Sequence, residues 1–403
     1  MTPPNIFSAE FACDPYPQYR IMRDRFPLYF HAAINAYVLS RHEDVRLALT
    51  DPNFTTRSYG AQIEPLLGIT VVQLEGREHA RQRRLLAASF RPGRFEAEFA
   101  ATVEAVADGL IDRFRHRATV ELVGEFITAF TVGVLAAVIG LPRSDMHRFR
   151  SWYTALLRFG INLVGDPAVT QAGLAARDEM DAYLRPLVAA YRRGTDGPSL
   201  LSLLANAESD GQRLTDDEIV RFGMLMIFAG GETVEKTLAT FLRNLVAHPD
   251  QLARVRTDRR LIGRALAESL RYTAPTHMVP RRTRSDAVVS GGVIPAESEV
   301  ICFLASANRD DRRFAAPDAF DIFRADLDVD RAFTSGAAHT SFGLGRHFCI
   351  GASMAMAEIG IAANRLLDAM AEIRFSHDKP PPDQGLFLRG PQSLGLSFMP
   401  TGG

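Results

Sequence analysis

The sequence has 403 residues, 47% of them hydrophobic and 23% charged, with a formal net charge of −1. That composition supplies a large core and excludes global disorder, and it lacks the basic excess that a nucleic-acid partner requires. Three cysteines, Cys13, Cys302 and Cys349, are too sparse for a disulfide framework and fit a reducing compartment.

The first twenty residues hold no apolar signal core, and no run of about 18 apolar residues follows. The expectation is a soluble, cytoplasmic protein without membrane contact. Asp14-Pro15-Tyr16-Pro17 marks a turn, Ala36–Ser40 a short strand and His42–Thr50 a helix. From Arg77 to about residue 250 the apolar spacing is helical. The longest helix starts at Thr215, whose pattern with Glu218 is a capping box, and runs about 33 residues to His248-Pro249, roughly 50 Å. Residues 284–304 read as a small sheet with a turn at Gly291-Gly292. A helix follows Cys349 through Met354, Ile359 and Leu366, and Leu386–Met399 reads as a hairpin. Gly194–Pro198 and Lys379–Pro382 are short enough to be loops. One domain over 1–403 is therefore expected, β-containing over roughly 1–75 and helical over roughly 76–403.

Cys349 stands apart from the other cysteines. It lies in Phe342-Gly-Leu-Gly345-Arg-His347-Phe-Cys349-Ile-Gly351. The glycines permit close backbone approach, and the segment feeds a helix N-terminus, which favours a thiolate. No second cysteine or histidine stands at zinc spacing. This decapeptide resembles the haem-binding loop of cytochrome P-450 enzymes, with all its fixed positions present at Phe342, Gly345, Cys349 and Gly351. The resemblance implies a mainly α P-450 fold, with a small β region and a long central helix over haem b, and makes Cys349 the iron ligand.

Four further segments extend the resemblance along the chain. Glu268-Ser-Leu-Arg271 matches the family's Glu-x-x-Arg helix, a structural ion pair with a third partner for which Arg324 is the candidate. Ala229-Gly230-Gly231-Glu232-Thr233 resembles the oxygen-binding groove, with Glu232 and Thr233 as the proton-handling pair. His79 and Arg83, four apart on one helix face, match the family's propionate ligands, and His347 and Arg281 fit the same role. Arg282 is the neighbour that would replace Arg281. Met226, Ala229, His277, Met278 and Leu394 are candidates for the substrate pocket.

The resemblance implies a monomeric monooxygenase that hydroxylates or epoxidises a small to medium lipophilic substrate in bacterial secondary or catabolic metabolism. A ferredoxin or flavodoxin with its NAD(P)H-dependent reductase would supply electrons. Arg77, Arg81, Arg84, Arg91, Arg94 and Arg346 are candidates for its docking patch. The alternatives are a peroxide-driven haem-thiolate oxidase, which the intact Glu232-Thr233 pair disfavours, and a non-catalytic haem sensor.

Overall fold

A computed structural model describes residues 2–90, 93–162, 165–195, 199–378 and 381–401. Arg91, Lys379 and parts of both expected loops lie outside these residues. The chain divides into two compact units, residues 1–55, 107–128 and 233–403 in the first and residues 56–106 and 129–232 in the second.

The first unit is organised by a five-stranded sheet. Its order is Leu28–His31, Ala36–Leu39, Glu299–Phe303, Met278–Thr283 and Phe54–Thr55. Only the pairing of Glu299–Phe303 with Ala36–Leu39 is parallel, with Cys302 opposite Leu39. Both residues are buried in one core cluster with Val45, Ala48 and Leu49 of the helix His42–Thr50. A second cluster gathers Phe11, Tyr19, Met22, Val38, Met278 and Phe303. The helix Ile262–Tyr272 is buried from Ala265 to Arg271, polar residues included, so those polar groups must be satisfied inside the protein. The helix after Cys349 spans Ala352–Ala369.

The second unit is helical. Met146–Gly160, Pro167–Arg192 and Asp216–Gly230 are its longest wholly contained helices. They approach closely at glycines: a Cβ on Gly173 would fall 2.7 Å from the Phe159 ring, and one on Gly160 would fall 2.8 Å from the Phe228 ring. The capping box forms as its spacing dictates. Glu218 N–H donates to Thr215 Oγ1 at 3.2 Å, and Thr215 N–H donates to Glu218 Oε2 at 2.7 Å.

Two expectations are corrected. The central helix is not continuous: Asp216–Gly230 ends at Gly231, and Glu232–Ala247 is a separate segment. A bare Cα removes the side-chain packing that would carry the helix through. The Leu386–Met399 hairpin also does not form. Asp383–Gln384 pairs with Gly390–Pro391, while Gly395–Pro400 lies between Met370–Phe375 and Thr119–Glu121, a non-local pairing.

Candidate functional site

Cys349 sits on a loop bent by two left-handed glycines, Gly343 at φ 68° and Gly345 at φ 66°. The bend at Gly345 is tight: a Cβ there would lie 3.2 Å from Leu49 O and 3.3 Å from Thr50. A side chain there would crowd these backbone atoms in a left-handed conformation that disfavours it. Arg346 Nη2 donates to Phe54 O at 2.9 Å, and Cys349 N–H donates to Phe342 O at 2.8 Å. The Phe342 ring meets Phe348 edge-on at 6.1 Å. The loop is thus fixed by backbone and aromatic contacts, yet the Cys349 thiol is exposed. It lies just before Ala352–Ala369, whose N-terminal dipole end favours a negative charge. Cys302 is the opposite case: burial pushes its thiol up to about 12.

Glu268 and Arg271 are wholly buried and paired through two parallel bonds. The remaining Arg271 donors go to the carbonyls of Asn308, Pro317 and Ala319. Asp321 N–H donates to Glu268 Oε1 at 2.9 Å, and Arg324 Nε lies 3.0 Å from Glu268 Oε2. Arg324 also pairs with Asp326 at 2.7 Å.

Arg281 and Arg282 are adjacent on the strand Met278–Thr283 and point to opposite faces. Arg282 is 40% exposed and reaches Glu297 and Glu299, each at 3.2 Å. Arg281 is 4% exposed, and its hydrogen bond among the described residues goes to the neighbouring Pro280 carbonyl. A buried guanidinium without a carboxylate calls for an anion from outside the chain. Together with the accessible thiol, this fits a haem carrying propionates. His347 is half-buried beside the same loop.

In the second unit, His79 is buried and Arg83 half-buried one turn later on the helix Gly76–Ala87. The neighbouring arginines are committed elsewhere. Arg81 pairs with Glu78 and Glu218, and Arg84 with Asp210 at 2.8 Å. Arg94 pairs with Glu98 at 2.8 Å. Three of the six arginines expected to form a basic patch are thus paired with carboxylates of the chain, while Arg77 is exposed.

On the central helix, Phe222 to Ile227 are buried, Met226 included, but Ala229 is exposed. A Cβ on Gly230 would meet Leu135 at an ordinary 3.5 Å. Glu232 and Thr233 are half-buried.

His277 and Met278 depart from their expected pocket role. Met278 packs in the core with Phe11 and Phe303. His277 Nδ1 is 2.7 Å from the Tyr19 hydroxyl, and burial lowers its pKa to about 3. Both side chains are spent on the interior of the first unit. Leu394 is fully buried, its N–H donating to Glu121 Oε1 at 2.6 Å. Tyr153 was not expected from sequence at all; the bare Cα of Gly231, on which its ring lies, is the trace it leaves there.

The family model of cytochrome P450 matches residues 151–398. A pulcherriminic acid synthase of Bacillus subtilis (strain 168) is 34% identical over 396 residues, covering 98% of this chain and 97% of that protein. The ligand-free structure of cytochrome P450 TbtJ1 matches with a TM-score of 0.85 at 30% identity, over 96% of this chain and 97% of its own. P450BioI, in complex with an acyl carrier protein ligated to hexadec-9Z-enoic acid, matches with a TM-score of 0.85 at 26% identity, over 97% and 99%.

Proposed function

The chain belongs to the cytochrome P450 family of haem-binding monooxygenases, and from that premise we propose that it oxidises a small to medium lipophilic metabolite with Cys349 as its iron ligand. The observation that carries the reading is the accessible Cys349 thiol on an otherwise locked loop at a helix N-terminus. Bound there, haem supplies dioxygen activation, and thiolate donation favours O–O cleavage.

The protein's own groups do the rest. Arg281 and His347 in the first unit, and separately His79 and Arg83 in the second, are groups suited to propionates, since charge-assisted hydrogen bonds to a carboxylate are the strong ones. Glu232 takes protons from water, and the Thr233 hydroxyl passes them on. Ala229 leaves room on the central helix for the reacting part of the substrate, with Met226 beside it. Glu268, Arg271 and Arg324 hold the buried frame of the first unit.

Electrons come from a separate ferredoxin or flavodoxin with its reductase. Secondary metabolism is the setting, because one relative is named for making pulcherriminic acid. A carrier-tethered substrate is the second form to test, because P450BioI is seen with a loaded acyl carrier protein.

The test is spectral titration of the haem-loaded ferric protein with fatty acids, terpenoids, macrolides, aromatic amino acids and phenols, each free and where feasible carrier-bound. A low-to-high-spin shift names the class, and turnover with ferredoxin, reductase and NAD(P)H completes the assignment. Turnover with peroxide alone would replace it with a peroxide-driven oxidase.

A further inference from the structure

The two glycines of Ala229-Gly230-Gly231-Glu232 do different work. A side chain at 230 would meet only ordinary contacts. At 231 a Cβ would fall 2.5 Å from Tyr153 Cε2 and Oη and 2.6 Å from Cζ. The phenol of Tyr153 therefore rests on the bare Cα of Gly231. Tyr153 belongs to the helix Met146–Gly160 and is 6% exposed.

The ring cannot swing clear, because its helix is pinned a second time. Seven residues on, Gly160 receives the ring of Phe228 from the opposite helix, with a Cβ-to-ring approach of 2.8 Å. Each helix thus offers a glycine to an aromatic ring of the other, and the two seats fix their separation and register. The Tyr153 seat coincides with the place where Asp216–Gly230 stops. The next residue is Glu232.

We propose that Tyr153 is a positioning residue for proton delivery: wedged on Gly231, its phenol sets the helix break and thereby where Glu232 stands. This rests on the reading of Glu232 as the proton carrier. The ring supplies the wedge, so phenylalanine should serve where alanine does not.

The experiment uses the haem-loaded full chain with a plant-type ferredoxin, its reductase and NADPH, and no added organic substrate. Two electrons and two protons reduce dioxygen to hydrogen peroxide; four of each reduce it to two waters. Poor proton delivery raises the peroxide share. Y153A should lower the water-forming rate about tenfold, within the roughly 10²-fold that a misplacement of about 1 Å can cost. It should also flatten the dependence of the peroxide share on pH. Y153F should restore both readouts. G231A should mimic Y153A, and G231A/Y153A should be no worse than Y153A alone, because the clash is then relieved.

Amide hydrogen exchange over residues 230–235 of the ferric protein gives a readout independent of turnover. Exchange should quicken in Y153A and G231A and return toward wild type in Y153F. An unchanged peroxide share in Y153A, whether or not exchange or thermal stability moves, would overturn the proposal. So would a silent E232Q, and that result would place the failure in the reading of Glu232. G231A keeps the test open if Y153A does not fold.

Discussion

Arg271 grips Glu268 with two parallel hydrogen bonds, Nε to Oε2 at 2.7 Å and Nη2 to Oε1 at 2.8 Å, and neither side chain reaches solvent. A buried ion pair costs desolvation energy that only complete hydrogen bonding recovers. Here the neighbouring carbonyls and the Asp321 N–H complete it. Removing one partner strands the other. E268A should cost about 3–5 kcal/mol in chemical denaturation of the haem-loaded protein. R271K should also be costly, because an ammonium cannot reproduce the fork. A loss below about 1 kcal/mol would mean that the pair is not a structural linchpin.

Cys349→Ser should fold but lose the red-shifted Soret band of the reduced carbonyl complex, the family's thiolate signature. A band that persists would mean another residue ligates the iron. Cys302→Ser, at a buried thiol whose pKa is raised to about 12, should leave the band in place.

R281A and R282A separate two adjacent arginines. A hydrogen bond to a charged group contributes about 1.5–3 kcal/mol, so R281A should speed haem loss to apomyoglobin about 10- to 10²-fold. Arg282 is tied to Glu297 and Glu299 at a half-exposed site, worth roughly 0–1 kcal/mol. R282A should therefore leave the rate near wild type. Equal effects would contradict the propionate role of Arg281.

Thr233→Ala should raise peroxide release per NADPH with ferredoxin and reductase, while the red-shifted Soret band of the reduced carbonyl complex stays. If the electrons still reach product or water in the wild-type proportion, Thr233 is not in the proton path.

Glu358, on the helix Ala352–Ala369, is buried, and desolvation raises its pKa from 4.5 to about 8. Between these values the native carboxyl keeps a proton that the unfolded chain has released. Stability should thus fall as pH rises from about 5 to 8, by about 1.4 kcal/mol per pH unit at the steepest, and level off above. E358Q should lack that slope when its denaturation is compared with wild type across the range. Parallel curves would show that Glu358 titrates normally.

Local spacing made much of this protein legible. The helix His42–Thr50 and the Thr215–Glu218 capping box follow from residues within one turn of each other. The Cys349 loop and Glu268–Arg271 are equally short-range patterns, and full-length family similarity follows from them. Non-local features were not legible. The strands Met278–Thr283 and Gly395–Pro400 take partners far along the chain, Phe54–Thr55 and Thr119–Glu121. His277 reads as a polar pocket contact until Tyr19, 258 positions earlier, takes its ring nitrogen. Gly231 reads as room for a ligand, whereas a ring from another helix fills that room. Sequence shows that a Cβ is missing; only packing shows what occupies its place.

The alternation of Arg281 and Arg282 limits how this strand can evolve. Because neighbouring side chains face opposite ways, the two guanidiniums are set apart by parity alone. Side chains along Met278–Thr283 can vary one at a time. Adding a single residue between Arg271 and Arg281 would turn Arg282 inward and leave Arg281 opposite Glu299. Divergence among descendants of this chain should therefore show substitutions in this stretch, with gaps confined to the loops beyond it.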